Sequence, residues 1–185
     1  MEKVIFLDRD GTINKEVHYL HKKEDLIFLP HAVEALSAWK SDGYRLVVVT
    51  NQSGIAYGYY GEEEVKKLHR DMNEMLRPYQ AEIDAFFYCP HHPQKGLGKY
   101  KVTCSCRKPG IGMFLQAEKL FSIDKQHSFM VGDKAIDVEA GRNFGLRGIL
   151  VATGYGKEIK EQGFTAYDFF AEDLKEAREY TRNIT

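Results

Sequence analysis

The chain has 185 residues, with 26 Lys and Arg against 27 Asp and Glu and a formal charge of −1 at pH 7. A chain of this length can bury an ordinary core as one domain, and its balanced charge, with no basic stripe, argues against nucleic acid as a partner. No apolar run approaches the ~20 residues of a membrane span, and the start Met1-Glu2-Lys3 is charged too soon for an export signal, so a cytoplasmic, reducing setting is expected.

Val4–Leu7 is a short apolar run ahead of a polar loop, the pattern of a buried parallel strand. Ala32, Ala35, Leu36 and Trp39 recur at helical spacing, and Gly43 stands where a C-terminal cap belongs. Leu46–Val49 is a second strand. Glu62–Leu76 predicts a helix, with Glu62, Glu63 and Glu64 in its first turn and Val65, Leu68, Met72 and Met75 on one face. Ile83–Tyr88 is a third strand, 111–121 a helix, Ser128–Val131 a strand, and Ala135–Asn143 a helix ended near Gly145. Ile149–Ala152 is a further strand, and 166–170 leads into a last helix through Thr181.

This alternation predicts an α/β fold, a Rossmann-like three-layer sandwich whose central parallel sheet is covered by helices on both faces. No repeat or linker breaks it, so residues 1–185 are expected to form a single domain without a separate cap. A monomer is the expected state.

Ligand sites in open α/β sheets lie beyond the carboxyl ends of the strands. After the first strand comes Asp8-Arg9-Asp10-Gly11-Thr12; after the second, Thr50-Asn51-Gln52-Ser53-Gly54; after the fourth, Gly132-Asp133-Lys134 with Asp137 one turn on. Crowded carboxylates repel unless a cation sits among them, and hard oxygen ligands suit Mg²⁺. A carboxylate in such a setting can attack phosphorus, and a second one two residues on can protonate the leaving oxygen and then activate water. Thr50 and Lys108 suit the charge of a phosphoryl group in transfer. Any one piece alone would pass as a solvated loop or ordinary turn; together and in order they point to chemistry.

Cys89-Pro90-His91-His92 is followed by Cys104-Ser105-Cys106. In extended chain, residues i and i+2 point the same way. Cys89 with His91 and Cys104 with Cys106 can therefore converge on one structural Zn²⁺ in a loop over 89–106, while His92 points aside. The alternative is three reduced thiols and two surface histidines. Arg107, Lys108 and Pro109 follow at once, so zinc is expected to help position Arg107 and Lys108.

At these residues the chain resembles the haloacid dehalogenase-like phosphatases. Their D-x-D-G-T stands here as Asp8–Thr12, their hydroxyl residue as Thr50, their lysine as Lys108, and their G-D-x-x-x-D as Gly132–Asp137. The resemblance implies that Asp8 is the nucleophile and Asp10 the general acid/base. It implies that Asp8, Asp133 and the Asp10 carbonyl bind Mg²⁺, with Asp137 supporting that shell directly or through water.

The combination of D-R-D-G-T, T-N-Q-S-G, C-x-H with a distal C-x-C, and R-K-P is narrower. It is similar to the D-glycero-D-manno-heptose 1,7-bisphosphate 7-phosphatases along essentially the whole chain. That likeness implies a small phosphorylated sugar as substrate, in a pocket lined by Glu16, Val17, His18, Tyr19 and by Thr50, Asn51, Gln52 and Ser53. Arg107 and Lys134 would then contact the sugar or its distal phosphate. Where that family commonly carries Arg, this chain has Tyr57, with Tyr59 and Tyr60 nearby. Histidinol-phosphate phosphatases share the first motif and a metal loop, but Ser53 and the His91–Cys104 spacing point away from them. A non-catalytic zinc-stabilised binding module should have lost one of Asp8, Asp10, Thr50, Lys108 or Asp133, and none is lost.

Overall fold

A computed structural model describes residues 1–184. Six strands form one sheet in the order β3-β2-β1-β4-β5-β6, every neighbouring pair parallel. In chain order the elements are β1 (Val4–Leu7), α1 (Ala32–Ser41), β2 (Arg45–Asn51), α2 (Ser53–Ala56), α3 (Glu62–Leu76) and β3 (Ala85–Cys89). Then come α4 (Gly112–Glu118), β4 (Phe129–Gly132), α5 (Ala135–Phe144), β5 (Arg147–Val151), α6 (Gly156–Glu161), β6 (Phe169–Ala171) and α7 (Leu174–Ile184).

The three layers follow from side-chain alternation along the strands. Ile5, Leu7, Leu46 and Val48 face a core shared with Leu36 and Trp39 of α1, Leu68 and Met72 of α3, and Leu174 and Ala177 of α7. Val4, Phe6, Val47 and Val49 face the other way, onto Met113 and Phe114 of α4 and Ala140 and Phe144 of α5. Trp39 is fully buried, and its Nε1–H donates to Thr181 Oγ1 at 2.8 Å, tying α1 to α7. Truncating such a residue to Ala typically costs about 3–5 kcal/mol.

The expected parallel three-layer sandwich is what the structure shows, with shifts at element ends. The apolar run starts at Ile83, but the Asn73 side chain takes both its N–H (2.8 Å) and its carbonyl (2.9 Å), so β3 begins at Ala85. The helix expected over 111–121 spans Gly112–Glu118, and Leu120 and Phe121 close it in turns onto the Ala117 carbonyl. The short helices α2 and α6 were not foreseen. Gly43 (φ 84) and Gly145 (φ 96) do end α1 and α5 in the left-handed conformation.

The chain begins in the middle of the sheet, lays β2 and β3 on one side and β4 to β6 on the other. The order therefore reverses between β1 and β4, and a crevice opens beyond their carboxyl ends.

Candidate active site and metal centres

Asp8 leaves β1 directly into that crevice, its N–H bonded to the Val131 carbonyl of β4 at 2.9 Å. Its Oδ1 accepts from Lys108 Nζ at 2.9 Å. The same ammonium lies 2.7 Å from Asp137 Oδ1 and donates to the Val49 carbonyl at 2.7 Å. Asp137 Oδ2 accepts the Lys134 N–H at 3.0 Å and so caps α5. Asp133 is held by the Tyr155 N–H at 2.9 Å on Oδ2, with Lys134 Nζ 3.5 Å from Oδ1. Asp8, Lys108, Asp133 and Asp137 are all buried. Gly11 (φ 81) and Gly154 (φ 56) lie so close to the Asp133 carboxylate that a Cβ on either would overlap it.

The electrostatics of this cluster are unbalanced. Burial acts to raise the Asp8 carboxyl, but Lys108 and Lys134 outweigh it and hold it below its ordinary value. Burial and then repulsion from Asp8 push Asp133 up to about 8, and the same two causes raise Asp137. Burial opposes the charge on Lys108, but Asp137 and Asp8 more than restore it. Carboxylate oxygens of Asp8, Asp133 and Asp137 lie within 4.8 Å of one another. A hard divalent cation relieves such a set, and the all-oxygen donors fit Mg²⁺. Asp137 has both oxygens already engaged, so it serves Lys108 and α5 as well as the acidic cluster.

Asp10 sits at the edge of the crevice and is held from three sides. Arg9 Nη2 donates to its Oδ2 at 3.0 Å, Asn14 Nδ2 to its Oδ1 at 3.0 Å, and Gln52 Nε2 to its Oδ2 at 3.1 Å. Gln52 also donates to Thr50 Oγ1 at 2.9 Å and accepts from Tyr60 OH at 2.8 Å. Asn51 accepts the Lys108 N–H at 3.0 Å and donates to the Lys108 carbonyl at 3.3 Å. Asn51 and Gln52 therefore hold Lys108, Thr50 and Asp10 in place as well as lining the crevice.

Two adjoining hollows lie here. The inner one, about 180 Å³, is lined by Asp8, Asp10, Glu16, Thr50, Asn51, Ser53, Arg107, Lys108, Lys134 and Asp137. The outer one, about 540 Å³, adds His18, Tyr19, Gln52, Tyr57, Tyr60, Tyr155 and Glu158. Val17 is a correction to the sequence reading: it lines neither hollow and packs against the core on the α1 side of the sheet. The segment is not an alternating strand, since His18 (φ 54) and Tyr19 (φ 59) are left-handed and both line the outer hollow; the apolar Val17 side chain finds its partners in the core. Tyr155, Glu158 and Ile159 were missed because α6 and the turn before it carry no motif, merely a mixed polar stretch.

The sulfur cluster lies on the other side of Arg107. Cys106 Sγ is 3.0 Å from Cys89 Sγ and 3.1 Å from Cys104 Sγ, and Cys89 and Cys104 are 3.5 Å apart. His91 Nδ1 is 3.7 Å from Cys89 and 3.4 Å from Cys106. Tetrahedral zinc with bonds near 2.3 Å has S···S edges of about 3.8 Å; the three thiols and one imidazole are the donor set of a closed four-coordinate zinc site, and the cluster is compatible with one. His92 does turn aside: its Nδ1 accepts from the Gln94 and Lys95 N–H groups. Arg107 Nη1 donates to the His91 carbonyl at 3.1 Å and to Ser53 Oγ at 2.8 Å, which links the cluster to the inner hollow. Farther along the loop, Tyr100 OH donates to Glu62 at 2.8 Å, beside Tyr88 OH on the same carboxylate at 2.6 Å.

A profile of the HAD-hydrolase-like family matches residues 105–177. The D-glycero-beta-D-manno-heptose-1,7-bisphosphate 7-phosphatase of Pasteurella multocida is 44% identical over 175 residues, 94% of either chain. The corresponding alpha-heptose enzyme of Photorhabdus laumondii is also 44% identical, over 83% of this chain and 84% of its own. The crystal structure of D,D-heptose 1,7-bisphosphate phosphatase from B. bronchiseptica, complexed with magnesium and phosphate, superposes with a TM-score of 0.87 at 30% identity, covering 99% of both chains. With the crevice carboxylates on the strand ends and relatives matching along nearly its full length, the chain belongs to the HAD-like hydrolases, in the phosphatase family of these relatives.

Proposed function

We propose that this chain removes the 7-phosphate of D-glycero-D-manno-heptose 1,7-bisphosphate, leaving the heptose 1-phosphate. The observation that carries the reading is the buried Asp8–Lys108–Asp137 chain beside Asp133, opening on a hollow edged by Asp10 and Arg107. Asp8 is the nucleophile: its pKa is held down, so it is ionised at neutral pH, and burial leaves it poorly hydrated. Asp8 attacks phosphorus as the bond to the sugar oxygen breaks, and Asp10 delivers its proton to that oxygen. Asp10 then takes a proton from the water that hydrolyses the aspartyl phosphate. Thr50, Lys108 and backbone N–H groups of the loop meet the charge of the phosphoryl oxygens.

Mg²⁺ would be held by Asp8, Asp133 and the Asp10 carbonyl, and when bound it neutralises the acidic cluster and polarises a phosphoryl oxygen. Zn²⁺ in the Cys89–His91–Cys104–Cys106 set would be structural, fixing Arg107 and Lys108 from behind. Arg107 and Lys134 would recognise the sugar or its second phosphate, with Glu16, His18 and Tyr19 shaping the outer hollow. Residues 1–185 would act as one domain.

The test is phosphate release by Mg²⁺-loaded protein on both anomers of heptose 1,7-bisphosphate and on histidinol phosphate. A kcat/KM preference of a hundredfold or more for a heptose anomer is expected; preference for histidinol phosphate would overturn the substrate. Asp8→Asn should abolish turnover, and a near-normal rate would overturn the covalent step.

A further inference from the structure

Arg9 and His69 are buried ionisable groups that the reaction as written does not use. Arg9 is fully buried although it sits between Asp8 and Asp10 in a loop. Its guanidinium makes a fork onto Asp10: Nε and Nη2 each lie 3.2 Å from Oδ1, and Nη2 lies 3.0 Å from Oδ2. Nη2 also donates to the Leu20 carbonyl at 3.2 Å. The remaining arm, Nη1, lies 3.1 Å from His69 Nε2 on α3.

That last contact fixes the chemistry of His69. A guanidinium has five N–H donors and no acceptor, so Nε2 must be the unprotonated nitrogen and the ring must be neutral. The surroundings agree: the ring is buried, stacked on Phe86 with centroids 4.4 Å apart at 14°, and burial followed by Arg9 holds its pKa well below the ordinary value. Phe86 is on β3, so the ring is clamped between the sheet and α3. Resting on the reading of Asp10 as acid and base, we infer that His69 is a positioning residue: by accepting from Nη1 it sets the angle of the Arg9 fork, and the fork sets the Asp10 carboxyl against the leaving oxygen. Asn14 and Gln52 hold Asp10 as well, but Arg9 is its one charged partner among the described residues, and its plane cannot turn while Nη1 is held.

The test compares single-turnover aspartyl-phosphate formation from the sugar bisphosphate, a poor leaving group that needs Asp10's proton, and from p-nitrophenyl phosphate, which does not. His69→Leu removes the acceptor; His69→Gln supplies one from its amide oxygen. The expected result is a tenfold or greater slowing with the sugar bisphosphate in His69→Leu, less than threefold with p-nitrophenyl phosphate, and recovery of most of the sugar rate in His69→Gln. Arg9→Lys keeps a charge but cannot reach both sides, and should show the same substrate-selective loss even if His69→Leu fails to fold. Equal losses on the two substrates, or a Gln variant no better than Leu, would overturn the positioning role. Asp10→Asn run alongside separates the two claims. If it too lacks the substrate-selective loss, the acid assignment falls and the inference with it; if it shows the loss and the His69 and Arg9 variants do not, the inference alone falls.

Discussion

Replacing Lys108 with Met keeps the length and apolar stem of the side chain and deletes the ammonium that Asp8 and Asp137 share at 2.9 and 2.7 Å. Both carboxylates and the lysine are buried at the floor of the inner hollow, so water replaces the lost partner only in part. Breaking a buried pair in this way costs about 3–5 kcal/mol. At this chain length that is a fall in Tm of roughly 6–20 °C, taking ~2–4 °C per kcal/mol. The loss should depend on pH in a definite sense. Without the cation, the folded-state pKa values of Asp8 and Asp137 rise, and a raised carboxylate costs stability above its unfolded value and ceases to cost it as the group protonates. The deficit should therefore be largest near pH 7.5 and shrink toward pH 4. Urea denaturation of both proteins across that range, in Mg²⁺-free buffer, measures it. A deficit below ~1 kcal/mol at pH 7.5, or one equal at pH 7.5 and pH 5, would refute the account of Lys108 as the cation that holds this cluster together.

Other outcomes follow from the same geometry. Asp133 has a folded-state pKa pushed up to about 8, so its burial penalty is absent at low pH and grows as pH rises toward 8. The Tm of the Mg²⁺-free protein should accordingly fall between pH 5 and 8 and level off above that, and millimolar Mg²⁺ should flatten the slope; thermal melts with and without Mg²⁺ check this. Gly154→Ala would place a methyl group on the Asp133 carboxylate and against the Gly11 Cα, from a left-handed conformation. It should weaken Mg²⁺ activation at least tenfold while leaving zinc content unchanged, as read by metal titration of turnover and by elemental analysis. Cys104→Ser should lower zinc stoichiometry and Tm together, because folding and metal binding are linked in such sites; full zinc content with an unchanged melt would refute the ligand assignment.

What could be read from the sequence was what repeats or what is spaced. Strands buried on both faces are continuous apolar runs, so β1, β2, β4 and β5 were placed to within a few residues. The motif residues fell on the strand ends because a parallel sheet gathers those ends along one rim. The clustering of Cys89, His91, Cys104 and Cys106 was legible because i, i+2 pairs in extended chain point together, and the same rule set His92 aside. The rule does not extend to Val17, because His18 (φ 54) and Tyr19 (φ 59) leave the extended conformation on which it depends. Asn51 and Gln52 were expected at the substrate and are also fasteners of Lys108, Thr50 and Asp10, since an amide in a motif does not announce which of its partners is near. The α6 contribution to the outer hollow depends on where β5 delivers the chain, a long-range fact without a local signature.

The two phenols on Glu62 change what a metal in the 89–106 segment would have to accomplish. Tyr88 closes one end of the excursion and Tyr100 the other, on a single carboxylate in the first turn of α3, while the Leu97 N–H is tied to the Ala56 carbonyl at 2.8 Å. Much of the ring-closure entropy of the segment is therefore met by the protein alone, and the stretch from Tyr100 to Cys104 is short. A zinc ion bound there would inherit a nearly assembled cradle instead of having to recruit its ligands from a loose chain, so chelating it should fray the few residues behind Arg107 and leave the rest of the segment folded against α3.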